Sequence, residues 1–133
     1  LGGFCSPIVF FDPSGRFPRG RMHKVAQHID IMPTLLDYVG ATRPYVAFGK
    51  SLLADTASWA VNHYGGVYQY VEDSLLLQFD GDRTTAVYDF RHDWMQTHNL
   101  LDHPDRPRLE RRLKAIIQDY MQRMNDDRLT TDN

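Results

Sequence analysis

The sequence predicts a small α+β domain in which a short antiparallel sheet packs against a C-terminal helix, with a second, shorter helix nearer the N terminus. Side chains alternate between apolar and polar over about residues 67–90, and apolar residues recur at helical spacing over about 107–124. A capped helical pattern covers about 31–39. A chain of 133 residues is long enough to bury about two-thirds of its unfolded surface, which suits one domain.

Charge and composition exclude several classes of protein. The net charge is −2 with both signs interspersed, so there is no basic field for nucleic acid. The single cysteine, Cys5, cannot form an internal disulfide. No apolar run approaches the ~18 residues of a transmembrane helix. Because the chain begins with Leu1 rather than Met and shows no signal-peptide pattern, we expect a piece of a longer protein; a processed mature protein is the alternative.

The first predicted element is a strand. Residues Pro7 to Phe11 form a continuous apolar run bounded by turn-forming residues, a pattern typical of a strand that is buried on both faces and paired on both sides. The basic loop 16–21 then serves as a solvated connector.

The helix over 31–39 has a start signal and a stop signal. Asp30 is placed to cap its N terminus, Pro33 lies in the first turn, and Gly40 suits the left-handed conformation that closes a helix. Four apolar residues at helical spacing predict a buried face: Met32, Leu35, Leu36 and Val39.

The region 41–54 is predicted to be an extended, partly buried link. Gly49-Lys50-Ser51 is similar to the end of a phosphate-binding P-loop, but the glycine that this motif requires upstream is absent, so we reject that interpretation.

Three strands are predicted next, over 67–71, 74–79 and 83–90, and their short connections make them an antiparallel meander. Asp80 and Asp82, with His92 and Asp93 nearby, are interpreted as turn residues rather than cation ligands, because calcium requires about six to eight oxygen ligands.

The last helix begins at Asp105-Arg106-Pro107 and carries one apolar stripe, which we expect to pack on the meander. The stripe consists of Leu109, Leu113, Ile116, Ile117, Tyr120 and Met124.

No metal-binding motif emerges from the six histidines, which are scattered without an HExxH pattern. The best pair, His28 and Asp30, offers two groups where a metal needs three or four. The residues therefore identify no catalytic, cofactor-binding or metal-binding position in this chain.

Taken in order, four segments resemble the C-terminal part of the sulfatase and phosphoglycerol-transferase branch of the alkaline phosphatase superfamily, close to lipoteichoic-acid-synthase-like bacterial proteins. The first three are 6–13, 30–40 with its Asp-x-x-Pro-Thr pattern, and 48–53. The fourth is 86–90 with Asp93, Asn99 and Leu100, although Trp94 stands where the family has proline.

The resemblance implies a C-terminal subdomain of an alkaline-phosphatase-like α/β fold. Residues 1–54 would belong to the edge of the catalytic fold, and 55–133 would be the meander with its C-terminal helix. Residues 49–53 and the meander would lie nearest the substrate cleft, on its rim.

The implied parent is a metal-dependent sulfatase or phosphoglycerol transferase acting on sulfate or phosphate esters, with calcium, manganese, magnesium or zinc as the cation. The family's nucleophile and metal ligands lie upstream and are absent here, and Cys5 lacks the family's Cys-x-Pro-x-Arg setting. No catalytic residue is carried over, and the isolated chain is expected to be inactive.

The implied partner is the upstream catalytic domain, with self-association through residues 7–12 where that domain is missing. The implied location is the cell envelope, at the periplasmic or extracellular face of the membrane. A non-enzymatic α+β binding module is the alternative function.

Overall fold

A four-stranded antiparallel sheet with a long helix on one face forms the larger part of the chain, as a computed structural model of residues 5–130 shows. The strands are β1 (Trp59–Tyr64), β2 (Val67–Glu72), β3 (Leu75–Phe79) and β4 (Thr84–Asp89), and they lie in chain order across the sheet. Helix α1 (Ile31–Val39) follows a 3₁₀ turn at His28–Asp30, and helix α2 spans Arg106–Asn125. The predicted α+β class is confirmed. The predicted division into residues 1–54 and 55–133 includes residues outside the described range. Leu1, from which we expected a longer protein, also lies outside it.

The sheet has one strand more than predicted, because β1 precedes the meander. Gly65 and Gly66, with φ of +60° and +80°, make the two-residue turn that joins β1 to β2. Positive φ at both central positions is the turn that matches the twist of paired strands, and glycine adopts it without steric cost. The two adjacent glycines are a hairpin signal in the sequence, so the prediction that the sheet begins at residue 67 was wrong.

The core lies between the sheet and α2. Tyr70, Leu77 and Val87 are opposite one another on adjacent strands and are fully buried. Leu109 and Leu113 of α2 are also fully buried in this cluster. Full burial of each such side chain contributes about 1.5–3 kcal/mol, so this layer is the main source of stability in the C-terminal half.

The apolar stripe of α2 is buried only along its first part. Ile116 and Ile117 are partly buried against the core, whereas Tyr120 and Met124 are exposed. The end of the helix lies over the link instead: the Tyr120 ring packs on Phe48 at 4.5 Å between centroids, and an Arg123 guanidinium N–H donates to the Ala47 carbonyl.

The boundaries of α1 are as predicted, but its buried face is not. Gly40 closes the helix at φ +71°, and the N–H of Ala41 donates to the Leu36 carbonyl at 2.9 Å. Pro33 and Thr34 are the buried residues, whereas most of the predicted stripe is exposed, at Met32, Leu35 and Val39. The apolar residues share one face of the helix as predicted, but no other described part of the chain covers that face.

The segment Pro7 to Phe11 is not paired as a strand within the described residues. Val9 and Phe11 are 81% and 86% exposed, so the prediction of a strand buried on both faces is wrong for this chain. The physical reason is topological, because a strand needs neighbours, and the sheet pairs only β1 to β4 with one another.

Side-chain amides cover both edges of the sheet. The Gln27 side-chain carbonyl accepts the N–H of Val61 on β1, and the Asn99 side chain accepts from Val87 N–H and donates to the Thr85 carbonyl on β4. These contacts satisfy backbone groups that would otherwise be open to pairing with another chain.

Candidate functional site

The centre of the N-terminal half is a junction between the start of α1 and the link that follows it. Asp30 is fully buried, and its carboxylate accepts the N–H of Gln27 at 3.0 Å and that of Lys50 at 2.9 Å. Thr34 adds a second connection, since its hydroxyl donates to the Asp30 carbonyl at 2.6 Å and accepts the N–H of Leu52 at 3.0 Å. The Asp-x-x-Pro-Thr pattern therefore ties α1 to the link.

Asp30 does not act as the predicted N-cap of α1, because its side chain makes no capping bond to that helix. It instead closes a capping box with Gln27 around the preceding 3₁₀ turn. Asp30 was identified correctly as a helix-start signal, but its carboxylate caps the 3₁₀ turn at 28–30 rather than α1.

Gly49 is required where the link crosses the 3₁₀ turn. A Cβ at this position would lie 2.1 Å from the Ile29 carbonyl oxygen and 2.7 Å from the Asp30 nitrogen, which are both backbone atoms. The function of Gly49 is close backbone approach. The close approach gives Gly49 a structural explanation.

Lys50 connects this junction to the sheet. Its ammonium donates to the Trp59 carbonyl at 3.1 Å and lies 3.9 Å from the centroid of the Trp59 ring. Burial lowers the pKa of Lys50, the Asp30 carboxylate opposes that shift, and the positive charge of Arg112 adds to it. A cation over an aromatic face gains about 0.5–2 kcal/mol, depending on its desolvation.

A buried ion network lies beside Lys50, between β2 and α2. The Glu72 side chain is only 7% exposed and accepts from Arg112 at 2.7 Å and from Arg108 at 3.0 Å. The Tyr70 hydroxyl donates to the same carboxylate at 3.2 Å. Burial and the negative charge of Glu72 raise the pKa of Tyr70, so its phenol stays a neutral donor at any physiological pH.

The network joins α2 to β2. Arg108 and Arg112 are four residues apart, hence on one face of the helix, and both reach a single carboxylate on β2. Sequence reasoning missed it because Glu72 lies in a different element, 36 and 40 positions before the two arginines. The available signal was the spacing of the two arginines beside the apolar stripe.

The residues first considered as metal ligands hold turns instead. Asp80 accepts the backbone N–H groups of Asp82 and Arg83, each at 2.9 Å, which confirms its interpretation as a turn residue. Asp93 accepts the His98 N–H and the Thr97 hydroxyl. His92 pairs with Asp89 at 2.7 Å.

His28 and Asp30 are not brought together on a common ligand. A His28 ring nitrogen lies 3.1 Å from the Ser6 hydroxyl, while the Asp30 carboxylate is bound to backbone N–H groups. Within residues 5–130, no three His, Cys, Asp or Glu side chains are arranged to hold a metal ion. The described residues thus do not fit the divalent cation that the family resemblance implies.

Two clefts border the segment Pro7 to Phe11. One has a volume of about 410 Å³ and lies towards α1, where Ile31 and Leu35 line it. The other, of about 1190 Å³, lies towards the sheet and is lined by side chains that include Gln69, Val71 and Leu76. The segment therefore has open space on both sides.

The arrangement as a whole is a scaffold, in which the buried side chains of Asp30, Thr34 and Glu72 are hydrogen-bonded to groups of other elements. The side-chain nitrogen Nε2 of Gln27 is buried without a hydrogen-bond partner among the described residues. Across the described part of the chain, no helix is both long and apolar enough to cross a membrane.

Comparison with known proteins finds a relative of this chain. The chain is 24% identical over 134 aligned residues to a protein of Escherichia coli (strain K12) named as an uncharacterized sulfatase, YidJ. The alignment covers 90% of this chain but 27% of that protein, so the chain spans about a quarter of its relative's length. No family model matches the chain. The chain is thus similar, over most of its own length, to part of a protein that is named a sulfatase.

Proposed function

We propose that this chain is the C-terminal structural part of a sulfatase-like enzyme that acts on sulfate or phosphate esters. Its catalytic residues, and the divalent metal that such an enzyme uses, belong to the remainder of a longer protein. On this proposal the enzyme works in the cell envelope, outside the cytoplasm.

The observation that carries the proposal is the extent of the similarity. It runs along 90% of this chain, through the Asp30 junction and the meander, yet accounts for 27% of the relative. A unit with this coverage corresponds to part of a sulfatase-like protein rather than to all of it.

The geometry agrees with a supporting role. The buried groups Asp30, Thr34 and Glu72 are bound by backbone N–H groups, arginines and a phenol, so none is available as a nucleophile or base. The name of the relative favours ester hydrolysis over phosphoglycerol transfer. Phosphoglycerol transfer is kept as the alternative activity.

The test is an assay of the longer protein that contains this sequence, with the 133-residue chain alone as the control. An aryl sulfate and an aryl phosphodiester are offered with manganese, magnesium, calcium or zinc. We expect metal-dependent hydrolysis of the sulfate by the longer protein and no turnover by the isolated chain, since metal-assisted ester cleavage needs a bound cation and a nucleophile.

Two outcomes would contradict the proposal. A longer protein that cleaves neither ester with any of the metals would favour the non-enzymatic binding module. Metal-dependent turnover by the isolated chain, abolished by a substitution within it, would show that the catalytic residues lie here. Preference for the phosphodiester would place the enzyme among those that act on phosphate esters, which the proposal includes.

A further inference from the structure

The Lys50 ammonium differs from that of a second lysine in a similar setting. It lies 3.9 Å from the centroid of the Trp59 ring. The Lys114 ammonium lies 4.9 Å from the centroid of the Phe79 ring and also pairs with the Glu110 carboxylate at 2.7 Å. No carboxylate in the described part of the chain forms an ion pair with Lys50. The charge of Lys50 is therefore available to another anion.

The register of the sheet brings Arg112 beside Lys50. Trp59, the first residue of β1, is directly opposite Glu72, the last residue of β2. Side chains opposite one another in an antiparallel pair project from the same face, with Cβ atoms about 4.5–5.5 Å apart. Lys50 donates to the Trp59 carbonyl at 3.1 Å, and Arg112 donates to the Glu72 carboxylate at 2.7 Å. The two cations are thus held at neighbouring positions, one by the link and one by α2.

The carboxylates around this pair are already bound. Glu72 accepts from Arg108 and Arg112, and Asp105 pairs with Arg108 at 3.5 Å. The Asp30 carboxylate accepts two backbone N–H groups. These acids hold the cations in place without using all of their donors.

Both cations retain hydrogen-bonding capacity. An ammonium carries three donors and a guanidinium carries five. Arg112 reaches Glu72 through its Nη1 atom alone, and its side chain is 39% exposed. Lys50 is half-buried and donates to one carbonyl. A group that lies between the two side chains can therefore accept a hydrogen bond from each.

A tetrahedral oxyanion fits these donors better than a second carboxylate does. Its oxygens point in several directions, so it can accept from the link and from α2 at the same time. Arginine binds phosphate-like groups through its planar fork, and lysine binds them as a point charge. The backbone N–H of Lys50 is already bound to Asp30 at 2.9 Å. Side chains would hold the anion, unlike in a P-loop, where backbone N–H groups do so.

We propose that Lys50 and Arg112 form a binding site for a tetrahedral oxyanion, a sulfate or phosphate group, where the link meets β1 and α2. An anion placed between them reduces the repulsion of two like charges. Two charge-assisted hydrogen bonds at a partly exposed site correspond to a dissociation constant on the order of 1 mM. The proposal depends on the side chains of this chain and not on the proposed function.

The experiment is an NMR titration of the chain with sulfate, phosphate or methyl sulfate, with sodium chloride keeping the ionic strength constant. The indole signal of Trp59, which lies under Lys50, should shift and saturate. The chain has two tryptophans, and Trp94, which is 52% exposed in the loop after β4, is the internal control. Burial and the charge of Arg112 lower the pKa of the Lys50 amine, and bound sulfate should raise that pKa.

Two variants at Lys50 and one matched variant test the assignment. Lys50→Met keeps the apolar stem and should weaken sulfate binding by at least about tenfold, because a charge-assisted hydrogen bond is lost. Lys50→Arg should restore it. Lys114→Met is the control and should bind like the wild type, since Lys114 already has Glu110 as its partner. If Lys50→Met fails to fold, the Trp59 titration and the Lys50 pKa of the wild type still decide.

A Trp59 shift that grows linearly with sulfate would overturn the proposal, because sulfate acts on all proteins through general exclusion from their surfaces. Equal saturable binding by Lys50→Met would also overturn it. So would loss of the response in the longer protein, since the remainder would then cover the site. A response to sulfate and methyl sulfate alone would support the proposal with a sulfate group as the ligand, and a response to phosphate alone would support it with a phosphate group. No readout requires ester hydrolysis, so an inactive longer protein would contradict only the proposed function.

Discussion

Single residues determine how the N-terminal half is assembled, and Gly49 is the clearest case. Among the described glycines, it is the one where an added side chain would meet backbone atoms rather than movable side chains. The close approach allows two hydrogen bonds, from Lys50 N–H to the Asp30 carboxylate and from Leu52 N–H to the Thr34 hydroxyl. Both require the link to lie against the 3₁₀ turn.

Gly49→Ala is therefore expected to destabilise the chain by about 1–3 kcal/mol, the range for overpacking a rigid site. Urea unfolding of the isolated chain measures the change. Thr56→Ala, an exposed substitution between the link and β1, is the control and should stay within about 0.5 kcal/mol. A Gly49→Ala variant as stable as the control would mean that the link moves away from the turn at little cost.

At the scale of secondary-structure elements, α2 divides into a half that packs on the sheet and a half that lies over the link. Leu113 is fully buried, whereas Met124 is 49% exposed. The sequence placed both in one stripe, because helical periodicity shows which residues share a face but not where the neighbouring sheet ends.

Leu113→Ala should accordingly cost about 2–5 kcal/mol, the usual effect of removing a buried leucine side chain. Met124→Ala should change the free energy of unfolding by no more than about 0.5 kcal/mol. Chemical denaturation of the two variants compares them directly. Equal losses would show that the whole stripe is buried in solution.

The loop after β4 depends on two carboxylates. Backbone hydrogen bonds from Thr97 and His98 lower the pKa of Asp93, and the His92 side chain does the same for Asp89. A lowered folded-state pKa stabilises the loop fully above the unfolded value of 3.8, and the contribution is lost as the pH falls through the lower, folded value.

Acid should therefore loosen this loop only at a pH below 3.8. The NMR signal of the Trp94 indole, which lies in the loop, reports the transition. In Asp93→Asn the loop should be loosened already at neutral pH, while Asp102→Asn, an exposed substitution nearby, should leave the transition in place. A wild-type transition above the usual aspartate range would contradict the assigned hydrogen bonds.

The sequence predicted the elements whose signals are local. The bounds of α1 and α2 were close because Gly40 and Pro107 mark a helix end and a helix start. Contacts between distant elements were not predictable in this way. The pairing of Glu72 with Arg108 and Arg112 joins residues 36 and 40 positions apart, and no short pattern encodes it.

At the scale of the whole molecule, two regions of the sequence predict more burial than the structure provides. The segment Pro7 to Phe11 and the outer face of α1 both carry the apolar period of buried elements, and both are exposed within the described residues. In the C-terminal half, the core between the sheet and α2 is buried as the sequence predicts. Its fully buried residues are Tyr70, Leu77, Val87, Leu109 and Leu113. The isolated chain is thus expected to have one complete core and one incomplete surface.

The incomplete surface should make the isolated chain self-associate at high concentration through residues 7–12. Val9 and Phe11 are exposed beside an open backbone edge, and such an edge is a template for pairing with another copy. Burying each of these side chains gains about 1.5–3 kcal/mol, and Met32, Leu35 and Val39 on α1 extend the same surface. Replacing Val9 and Phe11 with lysine should give a monomer, whereas Met95→Lys should associate like the wild type. Sedimentation across a concentration series distinguishes the variants. The prediction fails if the wild-type chain stays monomeric throughout and residues 8–11 are protected from hydrogen exchange. That result would show that residues 7–11 find their neighbours within these 133 residues.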